Sequence, residues 1–172
     1  MCSSDLVRGF DVRTGKRLWI FHTIPRPMEF GFNTWENDSW SYTGNTGSWG
    51  QASIDPDLNM VYIGVETPTG DYYGGHRPGN NLFAESIVAL DLRTGQRKWH
   101  YQYIHHGIWD MDNPCAPLLV DLNINGRTVK AVAQPTKQAF MYVLNRETGE
   151  PIWPIVEKPV EKGDVPGEYY SR

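Results

Sequence analysis

A turn motif that ends in tryptophan occurs three times in this sequence, and it constrains the fold more than any other feature. The copies span residues 9–19, 89–99 and 143–153. Each copy begins with a small or apolar residue and has Asp or Asn two positions later. Two residues of any type, the pair Thr-Gly, three further residues of any type and a final Trp follow. Self-similarity of this kind is typical of repeat architectures, in which every copy belongs to one supersecondary unit. The motif therefore predicts a chain built from similar, stacked units.

The residue types in the motif predict a β-hairpin. The Asp or Asn and the Thr side chains can hydrogen-bond the local backbone and close a turn. The Gly supplies the positive φ that a tight hairpin with a bulge requires. The apolar residues before the turn and the Trp after it are then expected on adjacent antiparallel strands, with each Trp filling the seam between neighbouring propeller blades. A single Asp-x-x-Thr-Gly segment would also suit an ordinary hairpin, but three copies with one spacing favour the repeat.

The composition and the remaining segments also indicate an all-β fold. Aromatic residues make up 13% of the chain, and it contains 17 Gly and 12 Pro. Many rings and many turn formers suit short packed strands. No amphipathic helix of useful length is visible. Short β-rich runs bounded by turn residues predict strands over residues 60–65, 86–90, 128–133 and 139–144, with hairpin connections at 55–59 and 123–127.

The spacing of the motif shows where insertions lie. The interval from Trp19 to Trp99 is much longer than the interval from Trp99 to Trp153. A plain four-stranded blade takes about 40–50 residues. The first interval therefore carries roughly 30 additional residues, and insertions in repeat proteins map to loops on one face, often the binding face. We expect functional residues between Trp19 and Trp99 and just after Trp99.

The chain is too short for a closed propeller. It contains about two to three blades, so we expect a β-propeller fragment. Residues 1–6, MCSSDL, match what a common sequencing adapter encodes, and we interpret them as a non-native read-through leader. Residues 7–172 are then a partial propeller domain.

The charge argues against some partners. The formal net charge is −4, and no basic stretch offsets it, so a nucleic-acid partner is not expected. No apolar run approaches the roughly 20 residues that span a bilayer, and neither a membrane anchor nor a secretory leader is visible.

Four segments, taken in order, resemble the PQQ-dependent (quinoprotein) dehydrogenases, and most closely the glucose/quinate/shikimate group. Residues 105–112 read HHGIWDMD and resemble the family's His-His-x-x-Trp-Asp-x-Asp segment; residues 37–40, 71–84 and 134–137 match as well. The likeness covers essentially residues 7–170. It implies an eight-bladed propeller that uses PQQ and Ca²⁺ to oxidise an alcohol group on a sugar, polyol or cyclic hydroxy acid. It also implies that electrons pass to a quinone or cytochrome, and that the protein is periplasmic.

The resemblance also assigns roles to individual residues. Trp49 aligns with the floor tryptophan on which the quinone stacks, although a seam or core Trp is the alternative. Asp110 aligns with the catalytic base; Asp112 is its rival, which spacing alone does not separate. Lys137 matches the cation that binds the quinone oxygens, although it would also suit a solvated strand end. Thr67 falls where the family places one Ca²⁺ ligand, judged by its distance along the chain from Trp49, and some members have Asn there.

The sequence also offers alternative interpretations of its histidines, its cysteines and its fold. Adjacent histidines on a strand point to opposite faces, so His105 and His106 are not expected to share one metal ion. The paired Cys of the methanol-oxidising branch is not seen, which leaves the sugar or polyol branches ahead. A non-catalytic scaffold of the outer-membrane assembly type would carry the same turn motif, and so would a propeller that binds carbohydrate, because fold does not settle function.

Overall fold

The computed structural model describes residues 5–171 and contains nine β-strands and no α-helix in that part of the chain. The strands are β1 Leu6–Phe10, β2 Arg17–His22, β3 Ser53–Asp55, β4 Met60–Gly64, β5 Ser86–Asp91, β6 Arg97–Gln102, β7 Leu118–Ile124, β8 Arg127–Pro135 and β9 Met141–Asn145. Two short 3₁₀ turns, Phe32–Thr34 and Ser39–Ser41, lie in the connection between β2 and β3. None of the helical segments in the described residues is long and apolar enough to cross a membrane.

The strands form three separate antiparallel sheets in chain order. The first sheet pairs β1 with β2, the second has the order β3-β4-β5-β6, and the third has the order β7-β8-β9. One complete four-stranded blade is therefore flanked by two partial blades. The predicted all-β architecture of successive propeller blades is confirmed, and the four predicted strands and both predicted hairpin connections are observed.

The repeated motif forms the same turn in each copy. Asp11 Oδ1 accepts hydrogen bonds from the backbone N–H of Arg13 and Thr14, at 3.0 and 2.8 Å. Asp91 and Asn145 accept the equivalent pairs of bonds in the other two copies. The three motif glycines have φ values of 69°, 69° and 80°, as the predicted turn requires.

Each tryptophan of the first two copies reaches the turn of the next copy. The indole N–H of Trp19 donates to the carbonyl oxygen of Leu92 at 3.0 Å, and that of Trp99 donates to the carbonyl oxygen of Arg146 at 3.1 Å. A Cβ atom placed on Gly95 would lie 2.5 Å from the Trp19 ring, and one on Gly149 would lie 2.7 Å from the Trp99 ring. The predicted position of the tryptophans in the seams between blades is confirmed for these two copies.

The middle blade is buried on both faces. One face of β4 and β5 packs with Trp19 and Phe21 of the first sheet, and the other face packs with Val132 and Leu144 of the third. Alternate residues of a strand point to opposite faces, so each strand contributes to both layers. This explains why β4 is apolar at nearly every position and wholly buried.

The third copy differs from the prediction after its turn. No strand follows it within the described residues, and a single bridge pairs Leu144 with Pro151. Pro151 and Pro154 flank Trp153, and proline cannot donate a backbone hydrogen bond to a sheet. Trp153 is 54% exposed, and no further copy of the turn lies over it among the described residues.

The predicted leader falls mostly on residues 1–4, which lie outside the described residues. Leu6 is the first residue of β1 and pairs with His22. The non-native origin of residues 1–6 stays a prediction.

We expect Trp99→Ala to destabilise the chain by about 3–5 kcal/mol, because it empties the seam between the second and third sheets. Trp153→Ala is the matched control, since the same motif position is exposed in the third copy; its effect should stay below about 1 kcal/mol. Urea unfolding followed by circular dichroism measures both values. Equal losses in the two variants would contradict the seam role.

We also expect stability to fall as the pH drops from about 6.5 to 4 because of His100. Its ring lies against Phe83 and Phe30, with centroids 5.2 and 5.6 Å away. Burial, together with the charge of Arg97, lowers the pKa of His100 to about 4. The unfolded chain therefore takes up a proton that the folded chain resists, which costs about 1–2 kcal/mol for this partly exposed ring. In His100→Gln, the urea midpoint of unfolding should change less with pH across this interval. An unchanged pH dependence would contradict the assignment to His100.

Candidate active site

Four connections meet at one end of the sheets, opposite the tryptophan turns. They are the connections β2–β3, β4–β5, β6–β7 and β8–β9, and they carry Trp49, Thr67, Asp110 and Lys137 respectively. Because antiparallel strands alternate in direction, these connections alternate with the hairpin turns and lie at the same end. The first two are the long insertions that the spacing of the motif predicts, so the additional residues do form loops at one end of the sheets.

Lys137 binds two carboxylates at this end. Its Nζ lies 3.2 Å from Oδ2 of Asp110 and 3.2 Å from Oδ2 of Asp112, and it donates to the carbonyl oxygen of Asp110 at 2.9 Å. Partial burial works against the charge of the ammonium, but the hydrogen bonds to Asp112 and Asp110 outweigh it and raise the pKa of Lys137. The cluster therefore holds one permanent cation between two acidic groups.

The two carboxylates differ in how firmly they are held. Oδ1 of Asp112 accepts the backbone N–H of Thr67 at 2.8 Å, and the Asp112 side chain is 15% exposed. The Asp110 side chain is 35% exposed, and its residue has a left-handed φ of 51°. A group that must exchange a proton with a substrate needs access, which favours Asp110 over Asp112 for that role.

Thr67 is buried and joins the cluster to a third acidic group. Its Oγ1 donates to Oε1 of Glu85 at 3.2 Å, and both residues are almost completely buried. Burial raises the pKa of Glu85 to about 8, although the charge of Arg77 and the hydrogen bond from Thr67 oppose the shift. The hydroxyl of Thr67 and the carboxylate of Asp112 are hard oxygen donors of the kind that Ca²⁺ prefers.

Trp49 lies on the neighbouring loop and is 58% exposed. The loop is fixed by Gly47, which donates its N–H to Glu66 Oε1 at 2.8 Å. A Cβ on Gly50 would lie 3.1 Å from the carbonyl oxygen of Asn113, just after Asp112. The small residues beside Trp49 thus let its loop approach the Asp110 segment.

Arg77 is a fully buried cation in the β4–β5 connection. Its guanidinium donates to Asn81 Oδ1 at 2.8 Å and to the carbonyl oxygens of Gly107, Gly70 and Thr69 at 2.7, 3.2 and 3.3 Å. One side chain therefore ties the long insertion to the segment that carries Asp110.

The two adjacent histidines have different partners. His105 contacts Gln102 and Glu157, whereas His106 is buried and its Nδ1 lies 2.8 Å from the carbonyl oxygen of Gly79. Both histidines follow β6 and do not lie on a strand. They therefore have separate partners because of the loop conformation, and not because a strand points them to opposite faces, as the sequence suggests. Within residues 5–171, no three or more His, Cys, Asp or Glu residues are grouped so as to hold a metal ion by themselves.

Three buried residues of this end were not predicted from the sequence: Glu85, Arg77 and Glu66. One signal was present, because Glu85 is a charged residue directly before the apolar strand β5. A charge at such a position is buried only when it has partners. Those partners come from other connections, so the sequence pattern did not reveal them.

Comparison with known proteins identifies relatives over almost the whole chain. Residues 2–172 match the family model described as the PQQ glucose/ethanol/alcohol dehydrogenase β-propeller domain. The chain is 40% identical to quinoprotein glucose dehydrogenase of Escherichia coli K12 over 171 residues, which is 98% of the chain and 21% of that protein. It is 36% identical to quinate/shikimate dehydrogenase (quinone) of Acinetobacter baylyi over 169 residues, covering 97% of the chain and 20% of that protein.

A solved structure shows the same architecture. Quinohemoprotein alcohol dehydrogenase of Comamonas testosteroni superposes with a TM-score of 0.77 and 30% sequence identity, covering 86% of this chain and 24% of that one. The chain spans about one fifth of the length of the curated relatives that it matches.

We expect Arg77→Met to destabilise the chain by about 3–5 kcal/mol, because it leaves buried carbonyl oxygens and the Glu85 carboxyl without their cation. Arg13→Met, on the exposed first turn, should change stability by less than about 0.5 kcal/mol. Urea midpoints of the two variants provide the test. A midpoint for Arg77→Met that matches the surface control would show that the buried network contributes nothing.

Proposed function

Because this chain belongs to the family of PQQ-dependent dehydrogenase β-propellers, we propose that it carries part of the active site of an enzyme that oxidises an alcohol group. The substrate class that we propose is a sugar, a polyol or a cyclic hydroxy acid, with electrons passed to a quinone or cytochrome in the periplasm. The observation that carries this proposal is the pair Asp110 and Asp112 held by the ammonium of Lys137. A scaffold protein needs the turn motif but has no use for this pair beside an exposed Trp49.

The side chains present at this end of the sheets fit a quinone cofactor. The indole of Trp49 offers an exposed face for a flat ring, and Lys137 offers a cation for its oxygens. Thr67 Oγ1 is a candidate Ca²⁺ ligand, and Oε2 of Glu85 nearby has no hydrogen bond of normal geometry in the described chain. Ca²⁺ takes six to eight oxygens, so further ligands would have to come from the quinone carboxylates or from other residues.

When bound, PQQ supplies the electrophilic carbonyl carbon that accepts a hydride from the substrate. This chain's own residues manage the accompanying proton. Lys137 bonds to Oδ2 of Asp110, so we assign Oδ1 as the oxygen that takes the substrate hydroxyl proton. Asp112 is held from both sides by Lys137 and by the backbone of Thr67, so it keeps the ammonium in place.

Reconstitution tests the proposed function. The full-length protein is incubated with PQQ and Ca²⁺, and dye reduction is followed over a panel of alcohols, sugars and cyclic hydroxy acids. Turnover that depends on PQQ supports the proposal. If there is neither turnover nor any change in PQQ absorbance, a scaffold is favoured; binding of glycans without PQQ would favour a carbohydrate-binding propeller.

We expect Asp110→Asn to lower kcat by about 10²–10⁴-fold, because an amide cannot take the proton, while PQQ remains bound. Asp112→Asn is the control: its amide oxygen can still accept the Thr67 N–H, so it should lose much less activity. Steady-state dye reduction and PQQ absorbance measure turnover and binding separately. A collapse of PQQ affinity in Asp110→Asn with turnover preserved at saturation would show that the roles are assigned wrongly.

A further inference from the structure

Glu85 is a buried acidic group that has no part in the proposed proton transfer. It directly precedes β5, and its side chain is completely buried. Oε1 accepts the hydroxyl of Thr67 at 3.2 Å, whereas Oε2 has no hydrogen bond of normal geometry among the described residues. The backbone N–H of Met111 lies near the carboxyl and makes only a minor contribution to lowering its pKa. A buried carboxyl oxygen without a good donor is costly, so its retention calls for an explanation.

The carboxyl of Glu85 is enclosed between two parts of the candidate site. A Cβ atom placed on Gly107 would overlap both Oε2 and Oε1, so only glycine fits there. Gly107 lies just before Asp110 in the chain, and Thr67 belongs to a different connection that reaches the same carboxyl. Glu85 therefore supports both the candidate cation ligand and the segment that carries the base.

The hydrogen bond from Thr67 has a direction that matters for metal binding. A threonine hydroxyl has one proton and two lone pairs, and it binds a cation only through a lone pair. When Oε1 of the carboxyl accepts the hydroxyl proton, the lone pairs of Oγ1 remain available to a cation. Partners of this kind orient a ligand and raise its basicity.

We propose that Glu85 is a positioning residue that directs the Thr67 hydroxyl proton away from the cation site and so makes Thr67 a competent ligand. This inference rests on the proposed function, in which Thr67 binds Ca²⁺ beside the quinone. Glu85 acts through Thr67 and does not itself contact the substrate. Removal of the carboxyl leaves the Thr67 hydroxyl free to turn its proton toward the cation, which weakens the metal site without removing any ligand.

A double-mutant cycle on the full-length protein tests this role. Apo protein with PQQ is titrated with Ca²⁺, and binding is followed by PQQ absorbance and by quenching of tryptophan fluorescence. We expect Glu85→Met, which removes the acceptor and nearly keeps the volume, to weaken Ca²⁺ affinity by about 10–100-fold. Glu85→Gln is the matched control, because its amide oxygen can still accept the Thr67 hydroxyl, and it should lose much less affinity. Thr67→Ala should weaken Ca²⁺ affinity at least as much as Glu85→Met does, Thr67→Ser should retain it, and the double variant should bind no more weakly than Thr67→Ala alone.

The cycle separates positioning from general support. If Glu85→Met binds Ca²⁺ as the unsubstituted protein does, the inference is wrong. It is also wrong if the loss is the same in the Thr67→Ala background, because Glu85 would then act through packing. Thermal unfolding of each apo variant checks the fold; Glu85→Leu, which also lacks the acceptor, replaces the methionine variant if that one does not fold.

The same data distinguish this inference from the proposed function. If the unsubstituted protein binds neither PQQ nor Ca²⁺, the proposed function fails, and the role of Glu85 fails with it. If the unsubstituted protein binds both and turns over, but Glu85→Met matches it in Ca²⁺ affinity, only the role of Glu85 fails.

Discussion

The contact between a tryptophan of one repeat and the glycine of the next determines how the blades sit relative to each other. The Trp19 ring covers Gly95, and the Trp99 ring covers Gly149, each with an indole hydrogen bond to the same position of the following turn. The glycine is therefore required twice, once for its positive φ and once because a Cβ would collide with the ring. Gly15 of the first turn has open space above it, because no described residue packs there.

This seam also places the loops at the other end of the sheets. Lys137 belongs to the third sheet's β8–β9 connection, Asp110 to the connection between the second and third sheets, and Thr67 to the second. The bonds of about 3 Å from Lys137 to Asp110 and from Thr67 to Asp112 need the two blades at a fixed offset. A packed interior transmits small displacements, so a change in the seam would shift the positions of the carboxylates. The repeat thus provides the rigid support on which a precise site depends.

Local features were predictable from the sequence, and long-range ones were not. The turn chemistry of Asp91 and the strand β5 depend on neighbours in sequence, so pattern alone predicted them. The missing strand after the third turn was not predicted, although Pro151 gave a local reason for it. Arg77 and Glu85 owe their burial partly to Gly107, which is far from both along the chain. The burial of these two side chains depends on how the connections pack against each other, which the local sequence does not show.

The asymmetry between Asp110 and Asp112 follows from the same long-range contacts. Spacing alone left the two carboxylates equivalent, and both share the ammonium of Lys137. The second oxygen of each carboxylate differs in its surroundings. That of Asp112 accepts the backbone N–H of Thr67 just after β4, whereas the Asp110 side chain lies on the more exposed side of the cluster. A carboxylate held on both oxygens is better suited to fixing Lys137, and one held on a single oxygen is better suited to accepting a proton. The blade packing that puts Thr67 beside Asp112 therefore gives the two aspartates different roles.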